Sequence, residues 1–226
     1  MTAEGGSAHP RLEHVAGVVG GVVAEAVRTA GAHGVVVLDD GSPEARLTVA
    51  WCTAALPPGT VQAVTAADAD GVDSALQNAL GDDEDGGPAA VEAHRAAARL
   101  VAARRGALLA APLNKSALLL AAAPVPEPLL PLGDLWAHQV EALAGAWSGP
   151  PRLRRLADAA GGIALLDRAL MRWCEGRAPL ATALAALPSG LHAELRQAVE
   201  EGRFARRYAG LVPKLTVRTV GVDLFA

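Results

Sequence analysis

Short apolar segments alternate with amphipathic helices in the first half of the chain, and this alternation constrains the fold most. Residues 34–38, Gly-Val-Val-Val-Leu, are continuously apolar and β-branched, as expected of a parallel strand buried on both faces. Residues 60–65 and 107–111 are predicted to be further strands. Strands that alternate with helices imply right-handed crossover connections. The sequence therefore predicts an α/β fold, a Rossmann-like, doubly wound parallel sheet.

The positions of the helices follow from the spacing of apolar residues and from breaker residues. In the first half, helices are predicted at residues 11–30, 44–55, 72–80 and 88–105, with an acidic loop at 81–87. In the second half, they are predicted at residues 134–147, 151–159, 163–175, 178–186 and 190–203, followed by an extended segment at 215–220. No linker or internal repeat is visible in the sequence. Residues 1–226 are therefore predicted to form a single domain with a helical C-terminal part.

Composition limits the environment and the partners of the chain. Hydrophobic residues make up 51% of the 226 residues and charged residues 19%, which is typical of a globular protein with a sizeable core. The net charge of −4 implies no general affinity for nucleic acid. Apolar runs such as 117–125 are too short to span a membrane, and residues 1–10 do not resemble a signal peptide. We expect a cytoplasmic protein with neither a nucleic-acid nor a membrane partner.

The two cysteines support the same compartment. Cys52 and Cys174 lie far apart in the sequence, and neither has the spacing of a metal ligand. In a chain of this length they are predicted to be reduced thiols in the core, and a disulfide between them is the alternative.

Two blocks of sequence carry a resemblance to a known family. Residues 106–116, Gly-Ala-Leu-Leu-Ala-Ala-Pro-Leu-Asn-Lys-Ser, precede residues 131–140, Pro-Leu-Gly-Asp-Leu-Trp-Ala-His-Gln-Val. Residues 166–170 read Leu-Asp-Arg-Ala-Leu, and a basic segment follows at 204–218. These blocks resemble the ammonia-dependent NAD synthetases, which have N-K-S-E, P-L-G-D-L-Y-K-T-Q-V, L-D-x-I-L and a terminal Y-K-R-R-x-x-P-P-G-V-K segment. The resemblance extends from about residue 11 to 223.

The resemblance implies an ATP pyrophosphatase fold and chemistry. Such enzymes adenylate a carboxylate or amide oxygen, and ammonia then displaces AMP. In the family, an S-G-G-x-D-S loop after the first strand holds the ATP phosphates, because its glycines let backbone N–H groups approach them and a helix N-terminus favours negative charge. The aspartate of that loop helps to hold magnesium. The resemblance also implies a homodimer with sites at the subunit interface.

The present chain departs from this phosphate-binding loop. The corresponding residues are Asp39, Asp40, Gly41, Ser42, Pro43 and Glu44. Each close contact between a carboxylate and a phosphate costs on the order of several kcal/mol at an effective dielectric of about 20, and Pro43 offers no N–H donor. We predict a degenerate ATP loop in which the acidic residues form a helix-capping turn. Magnesium bridging these carboxylates to phosphates is the alternative.

Other positions that carry chemistry in the family have also changed. In chain order, the replacements are Glu92 and His94 for an R-x-R pair, Leu113 for a glycine, Ala117 for the glutamate of N-K-S-E and Ala137 for the lysine of K-T-Q. Arg95 and Arg99 are close enough to offer an alternative register for the R-x-R pair. A loop and a lid are reduced to residues 121–127 and 157–162. Because adenylation needs these parts together, we predict no catalytic residue, no metal site and no cofactor.

Some residues keep the potential to contact a ligand, namely Asn114, Ser116, Asp134, Arg206, Arg207 and Lys214. In the family, the basic C-terminal segment helps to bind the acidic dinucleotide substrate, and a solvated basic face is the alternative here. Asn114 and Ser116 are also predicted to cap the helix after the third strand, and Gly133 and Asp134 to set the turn and start the next helix. His94 and His138 lie in sequence near positions that form the substrate pocket in the family, but their spacing supplies no metal-binding partner.

Three functions stay open at this stage. The chain is most simply interpreted as a catalytically inactive homologue that serves as a binding or regulatory module, alone or as a heteromer with an intact synthetase. The alternatives are an active NAD+ synthase that uses ATP and magnesium, and a changed enzyme on the same scaffold. We also predict a homodimer whose interface is formed by the helices at 88–105 and 134–147. The apolar residues expected in that interface are Leu135, Val140, Leu143 and Trp147.

Overall fold

A parallel sheet forms the centre of the first half of the molecule. The computed structural model describes residues 12–65, 68, 88–120, 128–207 and 210–215. Strands β1 (Val35–Leu38), β2 (Val61–Val64) and β3 (Leu108–Ala110) pair in the order β2–β1–β3. Both pairings are parallel, and Val35 lies opposite Val61 on one side and Leu108 on the other. Isolated parallel bridges from Ala110 to Leu129 and from Leu129 to Leu211 continue this sheet beyond β3.

Helices connect the strands and form the second half of the chain. Their bounds are α1 (Leu12–Thr29), α2 (Pro43–Ala55), α3 (Pro88–Arg105), α4 (Lys115–Leu119), α5 (Ala137–Ala144), α6 (Pro151–Ala159), α7 (Ile163–Cys174), α8 (Leu180–Leu184) and α9 (His192–Arg207). A 3-10 turn at Ser189–Leu191 precedes α9. In the described part of the chain, no helix combines the length and apolar character that a membrane crossing requires.

Successive side chains of β1 point to opposite faces, and each face has its own core. Val35 and Val37 pack in one cluster with Val19 of α1 and Cys52 of α2. Val36 belongs to another cluster, with alanines of α3 such as Ala98. Burial on both faces explains why β1 is apolar at every position. Helices therefore cover both sides of the sheet, which confirms the predicted Rossmann-like α/β fold with a helical C-terminal part.

A third cluster forms the core of the helical part. It contains fully buried leucines of α6, α7 and α9, including Leu156, Leu170 and Leu195, around the buried indole of Trp136. Both cysteines are buried free thiols, as predicted. The prediction that Leu135 and Val140 lie in a subunit interface was wrong, because both are fully buried inside their own chain.

Most predicted elements agree with the structure to within a few residues, but the helix predicted at 134–147 is shorter. The preceding residues form tight turns, closed by hydrogen bonds from Gly133 N–H to Leu130 O (2.9 Å) and from Leu135 N–H to Leu132 O (2.9 Å). Helix α5 begins only after Trp136, whose backbone is extended, and Gly145 ends it with a φ of 74°. Gly133 and Asp134 thus lie in a turn, as predicted, but the prediction that they start this helix was wrong.

Two other helices also differ in length from their predicted bounds. The helix predicted at 178–186 is reduced to Leu180–Leu184 after Pro179. The helix predicted at 190–203 begins at His192, after the 3-10 turn, and reaches Arg207. The helix predicted at 72–80, the acidic loop 81–87 and residues 216–220 lie outside the described residues.

Candidate functional site

The loop after β1 binds its own side chains. The Gly41 N–H donates to Asp39 Oδ1 at 2.9 Å, and the Ser42 N–H donates to Asp40 Oδ1 at 3.0 Å. These are two overlapping Asx turns, in which an aspartate accepts from the backbone two residues later. Gly41 has a φ of 76°, a conformation that glycine adopts without strain. The N–H groups that a phosphate-binding loop would offer to a ligand are thus used inside the turn.

Helix α2 starts immediately after these turns. Ser42 is its N-cap, because its Oγ accepts from the Ala45 N–H at 3.1 Å, and Pro43 occupies the first helical position. Asp39 and Asp40 build the turn in front of this cap rather than capping the helix themselves. The prediction of an acidic turn at the start of α2 is confirmed, and the assignment of the cap to acidic residues was wrong.

Glu44 does not cap the helix either and makes a long-range contact. Only 3% of this residue is exposed. Its Oε1 accepts from the Gly149 N–H at 3.1 Å, and its Oε2 lies 3.4 Å from the Ser148 N and 3.3 Å from the Ser148 Oγ. The first turn of α2 is therefore tied to the segment that joins α5 to α6.

A buried charge cluster lies beneath α4 and α5. The Nζ of Lys115, which is fully buried, donates to Asp134 Oδ1 at 3.0 Å and to Glu175 Oε1 at 3.2 Å. The Trp136 Nε1 donates to the same Glu175 oxygen at 2.8 Å, and the Lys115 ammonium lies 5.0 Å from the centroid of the indole. Asp134 Oδ2 accepts from the Leu215 N–H at 2.6 Å. This cluster connects four separate parts of the chain.

A second buried cluster is centred on Asp167 of α7. Its Oδ1 accepts from the Ser116 Oγ at 2.6 Å, and its Oδ2 accepts from both the backbone N–H and the Nδ1 of His138, each at 2.8 Å. Ser116 Oγ also accepts from the Ala137 N–H at 3.0 Å. The cluster fixes α4, α5 and α7 to one another. His138 keeps 26% of its side chain exposed, whereas Asp167 is fully buried.

The predicted ligand-contacting residues fall into two groups. Asn114, Ser116 and Asp134 are buried, and each takes part in the hydrogen bonds of the interior. Asn114 caps α4 by accepting from the Ala117 N–H at 3.0 Å, as predicted, whereas Ser116 lies inside the first turn and does not cap. Lys214 is exposed.

Arg206 and Arg207 end helix α9, and their side chains lie outside the described part of the structure. A contact between a ligand and any of these six residues stays a prediction.

His94 and Arg95 lie where the sequence analysis looked for the R-x-R pair. The His94 Nε2 is 2.6 Å from Val64 O, and 8% of this residue is exposed. Arg95 is 3% exposed, and one of its guanidinium nitrogens lies 3.7 Å from Glu92 Oε1. The His94 ring is thus held at the carboxyl end of β2. Among the residues that the structure describes, no group of three histidines, cysteines and carboxylates could hold a metal ion.

The partners that organise both clusters were not predicted from the sequence. Lys115, Asp167 and Glu175 were not candidate residues, although the first two belong to the N-K-S and L-D-x-I-L motifs. From the sequence alone, a buried charged residue in a motif cannot be distinguished from an exposed one, because its partner is not known. The partner of Lys115 at Glu175 is 60 residues away, so spacing gave no signal for it.

The strand order β2–β1–β3 and the helices on both faces of the sheet define a doubly wound α/β fold, and a solved NAD synthetase shares it. The "NH3-dependent NAD synthetase" of Campylobacter jejuni aligns with a TM-score of 0.60 at 18% identity, over 86% of this chain and 95% of that chain. An NAD+ synthetase of Burkholderia pseudomallei aligns with a TM-score of 0.48 at 17% identity, over 84% and 91%. A glutamine-dependent NAD+ synthetase of Acinetobacter baumannii aligns with a TM-score of 0.48 at 16% identity, over 94% of this chain and 48% of that chain.

These likenesses are structural. No protein-family model and no curated protein matches the sequence. At 18% identity, the agreement with the Campylobacter jejuni enzyme shows the fold alone. The chain therefore has an NAD synthetase-like fold, and its activity has to be argued from its own residues.

Proposed function

We propose that this chain is a catalytically inactive NAD synthetase-like protein that acts as a binding or regulatory homologue. The proposal rests on the loop after β1, whose backbone N–H groups donate hydrogen bonds to side chains of the same loop. The N–H groups of Gly41, Ser42 and Ala45 each donate to a side chain of the same loop. An incoming phosphate would have to displace these acceptors, two of which are carboxylates.

Electrostatics supports the same conclusion. Asp39 and Asp40 would remain beside a triphosphate that displaced them, because they are anchored in the loop. Each such close contact costs on the order of several kcal/mol at an effective dielectric of about 20. A hydrogen bond to a charged group contributes only about 1.5–3 kcal/mol. The repulsion therefore cancels what the freed N–H groups would gain from a phosphate.

Two alanines support the loss of the remaining machinery. Ala117 and Ala137 stand where the resemblance places a glutamate and a lysine, and both are buried in the apolar core of the helical part. A methyl group can neither hold magnesium nor neutralise a phosphate.

Binding of magnesium-ATP tests this proposal. Isothermal titration calorimetry of the native chain is expected to give no binding heat at micromolar protein concentration. Gly41→Trp, which fills the loop, serves as the matched control. Micromolar binding by the native chain that Gly41→Trp abolishes would contradict the proposal and favour the alternative, an active NAD+ synthase that uses ATP and magnesium.

Recognition of a dinucleotide is a separate part of the proposal. The basic segment formed by Arg206, Arg207 and Lys214 is the remaining candidate for a negatively charged ligand, and each arginine–phosphate contact is worth about 1.5–3 kcal/mol. Nicotinic acid adenine dinucleotide is expected to raise the melting temperature of the native chain but not that of Arg206→Ala/Arg207→Ala. If neither protein responds, the chain is a partner-binding subunit without a nucleotide ligand.

The proposal also covers the oligomeric partners of the chain and its location in the cell. We expect a cytoplasmic homodimer, or a heteromer with an intact synthetase. An apolar groove of about 560 Å³ between α1 and the edge formed by Leu129 and Leu211 supports a contact with another chain. Leu211 lines this groove and is 47% exposed.

A further inference from the structure

The segment 145–150, which joins α5 to α6, lies against the first turn of α2. Gly145 ends α5 with a φ of 74°, Gly149 has a φ of 50°, and Pro150 precedes the first residue of α6. Two left-handed glycines give the segment its sharp path. Its contact with α2 is made through the carboxylate of Glu44.

The donors around this carboxylate converge as they would on a bound anion. One oxygen faces the Gly149 N–H, and the other faces the N–H and the hydroxyl of Ser148. All these groups come from two consecutive residues of the segment. Glu44 is 3% exposed, and a buried carboxylate is tolerated only where such donors surround it. The carboxylate is therefore bound in the way that an oxyanion-binding turn holds a separate ligand.

Besides the contact with Glu44, the segment packs Trp147, partly buried, against the core of the helical part. A side chain at position 149 would place its Cβ 2.3 Å from the Trp147 Cζ2, so the turn folds tightly over its own indole. The Trp147 Nε1 is buried and donates no hydrogen bond within the described part of the chain. A buried donor without an acceptor costs about 1–3 kcal/mol. The contact with Glu44 thus offsets a local penalty in the segment.

We propose that residues 145–150 form a strap with an oxyanion site at Ser148 and Gly149, and that Glu44 fills this site as a built-in ligand that holds the strap closed over the start of α2. A small carboxylate or phosphate can enter the site only when the Glu44 carboxylate is removed. The proposal concerns the donors of the strap and does not depend on whether the loop at residues 39–42 binds ATP.

Chemical rescue tests the strap. Glu44→Ala removes the built-in ligand, and Glu44→Gln keeps its size and an acceptor oxygen but removes its charge. Amide hydrogen exchange at Gly149 is expected to become roughly tenfold faster in Glu44→Ala, as the loss of a hydrogen bond to a charged group predicts. Saturating acetate is expected to restore slow exchange at Gly149 in Glu44→Ala and to change nothing in the native chain or in Glu44→Gln.

The other outcomes overturn the proposal. Gly149 exchange that is equal in the native chain and Glu44→Ala would show that Glu44 does not hold the strap. An acetate effect of the same size in all three proteins would show that the anion acts elsewhere. If Glu44→Ala does not fold, Ser148→Ala decides, because it removes one donor and keeps the carboxylate. Faster exchange at Gly149 with unchanged exchange in α7 then supports the strap, and unchanged exchange at Gly149 refutes it.

Discussion

Replacing Lys115 by methionine tests the buried charge cluster of the helical part. Lys115 is fully buried between Asp134, also fully buried, and Glu175, which is 11% exposed. Methionine has a similar length and fills the space next to Trp136 without a charge. The substitution therefore leaves two carboxylates in the interior and removes the ammonium that lies 3.0 Å from Asp134 and 3.2 Å from Glu175.

The expected loss of stability is large. Removing one member of a buried ion pair destabilises a protein by about 3–5 kcal/mol, because the remaining charge is uncompensated. This is a substantial share of the roughly 5–15 kcal/mol that keeps a domain folded. For a chain of this size, it corresponds to a fall in melting temperature of roughly 6–20 °C. The cation–π contact with Trp136 acts in the same direction.

Urea unfolding followed by tryptophan fluorescence measures the effect. The surface pair of Arg155 and Glu194 supplies the control, because Arg155→Met breaks an ion pair that is exposed to solvent and should hardly move the midpoint. The double variant Lys115→Met/Glu175→Gln should regain part of the loss, since it removes one of the uncompensated charges. Equal midpoints for Lys115→Met and Arg155→Met would refute the reasoning.

Three further outcomes are expected. Burial raises the pKa of the Cys52 thiol from 9.0 to about 12. The neutral thiol therefore contributes stability that is complete below pH 9 and is lost as pH rises towards 12. This loss should be absent from the pH dependence of the urea midpoint in Cys52→Ala. Asp167→Ala should lower stability by about 1–3 kcal/mol in urea unfolding, because the Ser116 hydroxyl and the His138 N–H lose their acceptor, and an unchanged midpoint would contradict this. Light scattering should give twice the 22.9 kDa chain mass for the native protein and the monomer mass for Leu211→Glu, and a native monomer at micromolar concentration would exclude the dimer.

The sequence predicted the sheet and the long helices well, because their signals are local. The continuous apolar run at β1 follows from burial on both faces, and Pro43 marked the first turn of α2. The start of α5 was missed by three residues, since the turn at 131–135 is closed by backbone hydrogen bonds that no residue type announces. Boundaries depend on such local bonds, whereas the existence of an element depends on its periodicity.

The candidate site was predictable only in part. The acidic residues of the loop were visible in the sequence, and so was the replacement of its first glycine by Asp40. The contacts of each acidic residue were not visible in the sequence, because the partners of Glu44, for example, lie 104 and 105 residues away. The same limit hid the interior role of Asp134, whose partner Lys115 is 19 residues distant and whose second partner is the backbone of Leu215.

The most direct test of the account is an assay for adenylation by the native chain. The purified protein is incubated with nicotinic acid adenine dinucleotide, ATP, magnesium and ammonia, and the release of AMP is measured together with the formation of NAD+. The account predicts no release above that of Gly41→Trp, because the loop after β1 keeps its own carboxylates in place of the phosphates. Release of AMP by the native chain, coupled to NAD+ formation and lost in Gly41→Trp, would show that the loop still binds ATP and that the protein is an active synthetase.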